Sequence, residues 1–159
     1  MVSDTEKVFL LANNTEIHGE EIGTSVYNIE KKGVRLIKSE RQVISLDNFK
    51  HALLFQQNSN ASPCVVTVEL PNKEMRLFLL GKLSSKRKVR YETQVLQIDL
   101  RNHKGILLLE NTDFMADVWF YSTLPGVHFK SNFCHFLPGR HEIPFTFDTN
   151  LGEINLMYR

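Results

Sequence analysis

The amino-acid sequence predicts an all-β fold, and three observations lead to that prediction. Apolar and polar residues alternate with a period of two in several short runs, which is the pattern of a strand with one buried face. Turn-forming pairs such as Lys32-Gly33, Pro71-Asn72 and Pro138-Gly139 separate these runs. The runs recur about every ten residues with no helical pattern between them, which is typical of antiparallel sandwiches and barrels.

The strands can be followed along the chain by their alternation. It is seen in Val34-Arg35-Leu36, in Val66-Thr67-Val68-Glu69-Leu70, in Ala116-Asp117-Val118-Trp119-Phe120-Tyr121 and in His141-Glu142-Ile143-Pro144-Phe145-Thr146-Phe147. In the last run Ile143, Phe145 and Phe147 share one face. Because proline has no N–H to donate to a ladder, we expect Pro144 to lie at a sheet edge or in a bulge.

One segment has two interpretations. Leu46, Phe49 and Leu53 fall at helical spacing behind Asp47, a residue type that caps helices. The run Leu53-Leu54-Phe55 equally suits a strand, and the segment is short for a helix. We therefore favour a strand with an irregular entry.

The segment Gly81–Lys88 is the best candidate for a domain boundary, because it combines small, flexible and charged residues after the apolar run Met75–Leu80. Each side holds six or seven predicted strands. Two consecutive immunoglobulin-like β-sandwiches, residues 1–83 and 84–159, are preferred to one large barrel. Such sandwiches average about 100 residues, so both would be compact, and we expect each to bury surface against the other or against a neighbour.

Composition and charge exclude several classes of protein. The 159 residues include 19 Lys and Arg against 18 Asp and Glu, a formal net charge of +1, which gives no general reason to expect nucleic acid as a partner. No apolar run approaches the roughly 20 residues of a membrane span, and the first residues lack a secretory pattern. Cys64 and Cys134 lie far apart with no Cys-x-x-Cys spacing, so free thiols are favoured over a single disulfide. We expect a soluble, cytoplasmic chain of bacterial type with no membrane partner.

The usual catalytic and metal-binding patterns are missing. Phosphate-binding glycine loops and the Gly-x-Ser-x-Gly elbow do not occur. His141-Glu142 opens a zinc-protease pattern, but Phe145 stands where the second histidine is needed. His128, His135 and His141 gather in the last third, yet nothing in the sequence makes them converge on a metal. The sequence therefore predicts no catalytic residue, no metal and no cofactor.

Trp119 and Tyr121 are the two side chains with a candidate binding role. They lie on the same face of their predicted strand, opposite Val118 and Phe120. If exposed, the pair could stack on sugar rings or form a docking patch. The favoured interpretation is that Trp119 fills a sandwich core or a seam between domains.

The last third of the chain resembles a known family. The sequence Phe129-Lys-Ser-Asn-Phe-Cys-His-Phe-Leu-Pro-Gly-Arg140 is similar to F-S-D-N-F-F-D-L-L-P-G-E, a motif with which β-mannosidases of glycoside hydrolase family 2 close their last immunoglobulin-like domain. The residues kept are Phe129, Asn132, Phe133, Leu137, Pro138 and Gly139. Phe78–Lys82 and Val118–Tyr121 add to this likeness, and the half from Val8 to Phe78 resembles the preceding sandwich more loosely.

The matched residues have structural roles in this resemblance. Phe129 and Phe133 are expected to anchor a crossing between sheets, Leu137 to plug the end of the core, and Pro138-Gly139 to turn the chain into the strand Glu142–Phe147. The chain departs from the family pattern where Lys130 and Arg140 replace a small residue and an acid. Cys134 and His135 likewise replace an aromatic residue and an aspartate.

The resemblance implies a role without catalysis. In the family, a (β/α)₈ barrel that precedes these domains supplies both catalytic glutamates, one of them in an Asn-Glu pair that this sequence lacks. A barrel of about 200–250 residues cannot fit in the chain. The resemblance therefore implies accessory domains whose partner is the barrel of a larger enzyme. The alternative is a carbohydrate-binding module that holds an oligosaccharide with Trp119 and Tyr121.

Overall fold

A computed structural model describes residues 5–11, 16–58, 60–83, 88–148 and 152–158. Within these ranges the chain forms thirteen strands and no helix, so the predicted all-β fold is confirmed. It follows that the described ranges contain no helix that is long and apolar enough to cross a membrane. The chain divides into two compact units, Met1–Ser84 and Ser85–Arg159.

Unit 1 contains six strands in two antiparallel sheets. They are β1 (Thr5–Leu11), β2 (Ile17–Ile29), β3 (Val34–Leu46), β4 (His51–Asn58), β5 (Cys64–Glu69) and β6 (Met75–Leu80). One sheet has the order β3-β2-β5-β6, and the other consists of β1 and β4. The segment with two interpretations is a strand, β4, which follows a turn closed by the N–H of Lys50 on the carbonyl of Asp47 at 3.1 Å.

The core of unit 1 is built from both of its sheets, which makes the unit a β-sandwich. Val8 and Leu54 come from the two-stranded sheet. The four-stranded sheet contributes Ile22, Val26, Ile44, Cys64, Val66 and Val68. Both cysteines of the chain are free thiols; Cys64 is buried, and Cys134 is half-buried. Burial raises the pKa of the Cys64 thiol to about 11, and the nearby Glu6 carboxylate adds to the effect.

Unit 2 contains seven strands, again in two antiparallel sheets. They are β7 (Tyr91–Asp99), β8 (Lys104–Asn111), β9 (Met115–Ser122), β10 (Val127–Phe129), β11 (Cys134–Phe136), β12 (Gly139–Phe147) and β13 (Ile154–Met157). One sheet has the order β10-β12-β8-β7 and the other the order β11-β9-β13. Its core likewise takes residues from both sheets: Val89, Leu107, Leu109, Met115, Val118, Phe120, Ile143, Phe145 and Phe147.

Pro144 does not lie at a sheet edge, because β12 is an inner strand between β10 and β8. The carbonyl of Pro144 accepts a hydrogen bond from the N–H of Lys130, one residue beyond the end of β10. In a strand the N and the carbonyl of one residue point to the same side, so the missing N–H of Pro144 faces the end of β10. The sheet tolerates the proline there because the neighbouring strand stops.

Candidate functional site

In the described part of unit 2, the histidines are not gathered into a metal-binding group. Among the described residues no group of three or more histidine, cysteine, aspartate or glutamate side chains is placed to hold a metal ion. His128 lies at the exposed surface with its Nε2 4.0 Å from Oδ2 of Asp148. Nε2 of His141 is 2.8 Å from the carbonyl of Leu137, a distance at which the ring N–H donates to the backbone. Each of these two imidazole rings thus interacts with a nearby group of its own unit.

His135 stabilises a bulge in the three-stranded sheet. Cys134 pairs with Val118 and Phe136 with Met115, so two residues of β9 face one residue of β11. Asp117 adopts φ 49° in this bulge, and its N–H donates to Nδ1 of His135 at 3.1 Å. Burial lowers the pKa of the His135 imidazole, and the Asp117 carboxylate opposes that effect.

Trp119, Tyr121 and Phe133 form an aromatic surface on the outer side of the β11-β9-β13 sheet. Val118 and Phe120 point into the core and are 0% and 1% exposed, whereas Trp119 is 37% exposed. The interpretation that Trp119 fills the sandwich core is therefore wrong. The Trp119 ring lies 5.4 Å from the Tyr121 ring at 34° and 6.1 Å from the Phe133 ring at 6°. β13 extends this surface with Met157, which pairs with Trp119.

Phe133 is the member of the aromatic surface that sequence reasoning missed. It is 68% exposed, so it does not anchor the crossing between the sheets as expected. Its backbone has φ 56°, which turns the side chain away from the positions that strand alternation would assign. A residue in this left-handed conformation follows no period-two pattern, and the sequence gives no signal of it.

The crossing itself is held by Phe129 and Asn132. Residues 130–133 carry the chain from β10 in one sheet to β11 in the other. The Phe129 ring lies 5.5 Å from that of Phe120 and 5.6 Å from that of Phe145. The Asn132 side chain accepts from the N–H of Phe120 at 2.7 Å and donates to its carbonyl at 3.2 Å. One amide thus bonds both backbone groups of a buried residue.

The end of the matched motif is held through the backbone of Leu137. Leu137 is half-buried. Its carbonyl accepts from Nδ2 of Asn111 at 2.9 Å in addition to the His141 ring. Pro138 is exposed, and Gly139 begins β12 with φ 142°, a conformation that favours glycine. These contacts place the chain at the start of β12.

Comparison with known proteins gives a likeness in structure but not in sequence. No protein-family model matches the chain, and no curated protein matches it in a sequence search. A crystal structure of a β-D-mannosidase from Dictyoglomus thermophilum is similar, with a TM-score of 0.61 and 15% identity. The alignment covers 98% of this chain and 21% of the mannosidase, so this chain spans about a fifth of that protein. At this identity the likeness shows the fold.

Proposed function

We propose that this chain is the non-catalytic C-terminal accessory region of a β-mannosidase-like exo-glycosidase of glycoside hydrolase family 2. Its two sandwiches pack on a catalytic barrel supplied by a longer polypeptide and stabilise it. The observation that carries the proposal is the extent of the structural likeness, which includes 98% of this chain and only 21% of a β-D-mannosidase.

The surroundings of the motif residues support a structural role. Asn132 bonds the backbone of Phe120, and the Leu137 carbonyl is bonded by two side chains. These polar groups satisfy buried backbone atoms, which is the normal use of polar side chains in a sandwich core. A residue engaged in this way contributes to folding and is not available to protonate or attack a substrate.

Activity assays on two polypeptides test the proposal. We expect no hydrolysis of 4-nitrophenyl β-D-mannopyranoside by this chain, and hydrolysis by the natural polypeptide that includes the residues encoded upstream. The control is the longer polypeptide with its Asn-Glu glutamate changed to glutamine, which should lose turnover and keep its fold. Turnover by this chain alone, or an upstream region that encodes no barrel, contradicts the proposal.

A second candidate function is carbohydrate binding at the aromatic surface. Exposed aromatic rings bury apolar area against a flat partner at little cost in side-chain entropy, and sugar rings present such flat apolar faces. The observation that favours this function is the exposure of Trp119 and Phe133, with their rings 6° from parallel.

Fluorescence titration tests this second function, because Trp119 is the only tryptophan of the chain. Binding of manno-oligosaccharides predicts a saturable change at millimolar sugar in the wild type and a weaker or absent change in Phe133→Ala. Phe9→Ala, which removes an aromatic ring that is 46% exposed in unit 1, is the matched control and should bind normally. No saturable change in the wild type rejects carbohydrate binding at this surface.

A further inference from the structure

A groove crosses the outer face of the β10-β12-β8-β7 sheet of unit 2. Its volume is about 600 Å³, within the range of roughly 300–1,000 Å³ that small-molecule sites occupy. The groove lies on the sheet that does not contain Trp119, Tyr121 or Phe133, so it is separate from the aromatic surface.

The strand register explains which side chains meet in the groove. Ile106 of β8 lies opposite Pro144 of β12 and Gln97 of β7, and Lys104 lies opposite Thr146 and Asp99. These residues alternate with core residues such as Leu107 and Phe145, so they face outward. On β10, His128 lies opposite Thr146, and Lys130 follows the end of the strand.

The floor of the groove is apolar. Ile106 and Pro144 stand side by side at its centre, and the backbone near them is that of two inner strands whose ladder bonds are made within the sheet. Pro144 adds no N–H. A floor of this kind favours a ring or a short hydrocarbon body over a strongly hydrated group.

The rim of the groove is rich in hydrogen-bond donors. Among the described residues, neither Lys104 nor Lys130 has a carboxylate in salt-bridge contact. The Gln97 amide and the Thr146 hydroxyl can also donate. The His128 ring already lies beside the Asp148 carboxylate, so the two lysines are the cations available to an anionic ligand.

Among the described residues that line the groove, Asp99 supplies the carboxylate, and both of its oxygens bond to its own turn. Oδ1 of Asp99 accepts from the N–H groups of Arg101 and Asn102, and Oδ2 accepts from the Asn102 side chain at 2.7 Å. The Asn102 side-chain bond, followed by its backbone bond, lowers the pKa of Asp99, and the Lys104 ammonium on the neighbouring strand adds to the effect. Asp99 is thus held as an anion that lies opposite Lys104 with its oxygens bonded to the turn. Two ammonium groups against this one carboxylate leave the groove with an excess of positive charge above an apolar floor.

We propose that this groove binds a small organic anion, with a carboxylate held by Lys104 and Lys130 and a ring-sized body resting on Ile106 and Pro144. The volume fits one or two rings. The proposal is independent of the proposed function, because it needs no barrel and no catalysis.

A matched pair of sugars tests the role of the carboxylate. The probes are 4-nitrophenyl β-D-glucuronide, which has a carboxylate, and 4-nitrophenyl β-D-glucopyranoside, which has a neutral hydroxymethyl group in its place. A third probe, 4-nitrobenzoate, has the carboxylate without a sugar. Amide chemical shifts of the full chain, measured by NMR during titration, report both the affinity and the place of binding. We expect saturable shifts at residues 97, 104–106 and 145–146 with at least one anionic probe. If the sugar anion binds, affinity for the neutral glucoside should be at least about tenfold weaker than for the glucuronide.

Charge-removing variants keep the result interpretable. Lys104→Gln and Lys130→Gln change exposed side chains, so both should fold, and each should weaken anion binding severalfold. Lys32→Gln, an exposed lysine in unit 1, is the matched control and should bind like the wild type. Binding of the glucuronide assigns a sugar acid, and binding of 4-nitrobenzoate alone assigns a non-sugar carboxylate. The absence of saturable shifts in the groove with both anions, equal binding of the neutral glucoside and the glucuronide, or insensitivity to both variants overturns the proposal.

Discussion

Asn132 shows how much one side chain can determine in a small sandwich. Its amide bonds both the N–H and the carbonyl of Phe120, a residue that is 1% exposed. In this way it replaces a piece of neighbouring strand at the point where the chain crosses between sheets. The sequence motif is thus explained by a backbone that needs a hydrogen-bonding partner.

Replacing Asn132 should therefore destabilise unit 2. Asn132→Ala leaves two buried backbone groups of Phe120 unsatisfied, which we expect to lower the free energy of unfolding by about 1–3 kcal/mol. Asn132→Asp keeps the acceptor but places a carboxylate oxygen against the Phe120 carbonyl, so it should not restore the lost stability. Urea unfolding measures the change, with Asn48→Ala in the exposed turn before β4 as the control. A change below about 0.5 kcal/mol, the range of ordinary surface substitutions, would show that water replaces the amide.

His135 predicts a dependence of stability on pH. Burial lowers the pKa of the His135 imidazole in the folded protein. As the pH falls through the ordinary histidine pKa, the imidazole is therefore protonated more readily in the unfolded chain than in the folded one. Stability should thus decline as the pH is lowered from about 7.5 to about 5.5. His135→Asn removes the titrating group and keeps an acceptor for the N–H of Asp117, so its decline should be smaller. Urea midpoints at the two pH values test this, with His18→Asn as the exposed control; equal declines in wild type and His135→Asn contradict it.

At the scale of the strands, the close approach of β8 and β12 depends on Gly105. A Cβ added at this position would lie 2.2 Å from Cζ of Phe145, in the middle of the core of unit 2. We expect Gly105→Ala to cost about 1–3 kcal/mol of stability, because the ring cannot move away without losing its packing. Phe145→Leu should relieve the clash, so Gly105→Ala should cost less in that background. Additive effects of the two changes in urea unfolding would contradict the clash.

The strands were largely predictable from the sequence, while the faces they bury were less so. Alternation correctly identified β9 and β12 because each strand has a continuous apolar face in the core. It did not tell which face of β9 is buried, since aromatic residues occupy both faces and only the position of the partner sheet decides. The inner position of Pro144 depends on where β10 ends, and the exposure of Phe133 depends on a positive φ. Both are consequences of tertiary structure.

At the scale of the whole molecule, the apolar residues form two separate cores. Every member of one core belongs to residues 8–68, and every member of the other to residues 89–147. In unit 2 the Tyr158 hydroxyl accepts from the N–H of Val89 at 3.1 Å, which ties the last described residue to the first apolar one. Each unit thus has the internal contacts of an independent folding domain.

This organisation predicts that residues 85–159 fold without unit 1. A polypeptide of this range should give a dispersed amide NMR spectrum in which the core amides of β8, β9 and β12 superimpose on those of the full chain, because the buried residues of their core all belong to this range. Stability should be modest, since a domain of this size buries a smaller share of its surface than a large one. Tyr158→Phe in the same polypeptide removes the hydroxyl that bonds Val89 and should lower stability by about 1 kcal/mol. A collapsed spectrum of the isolated unit would show that its core requires surface from outside residues 85–159.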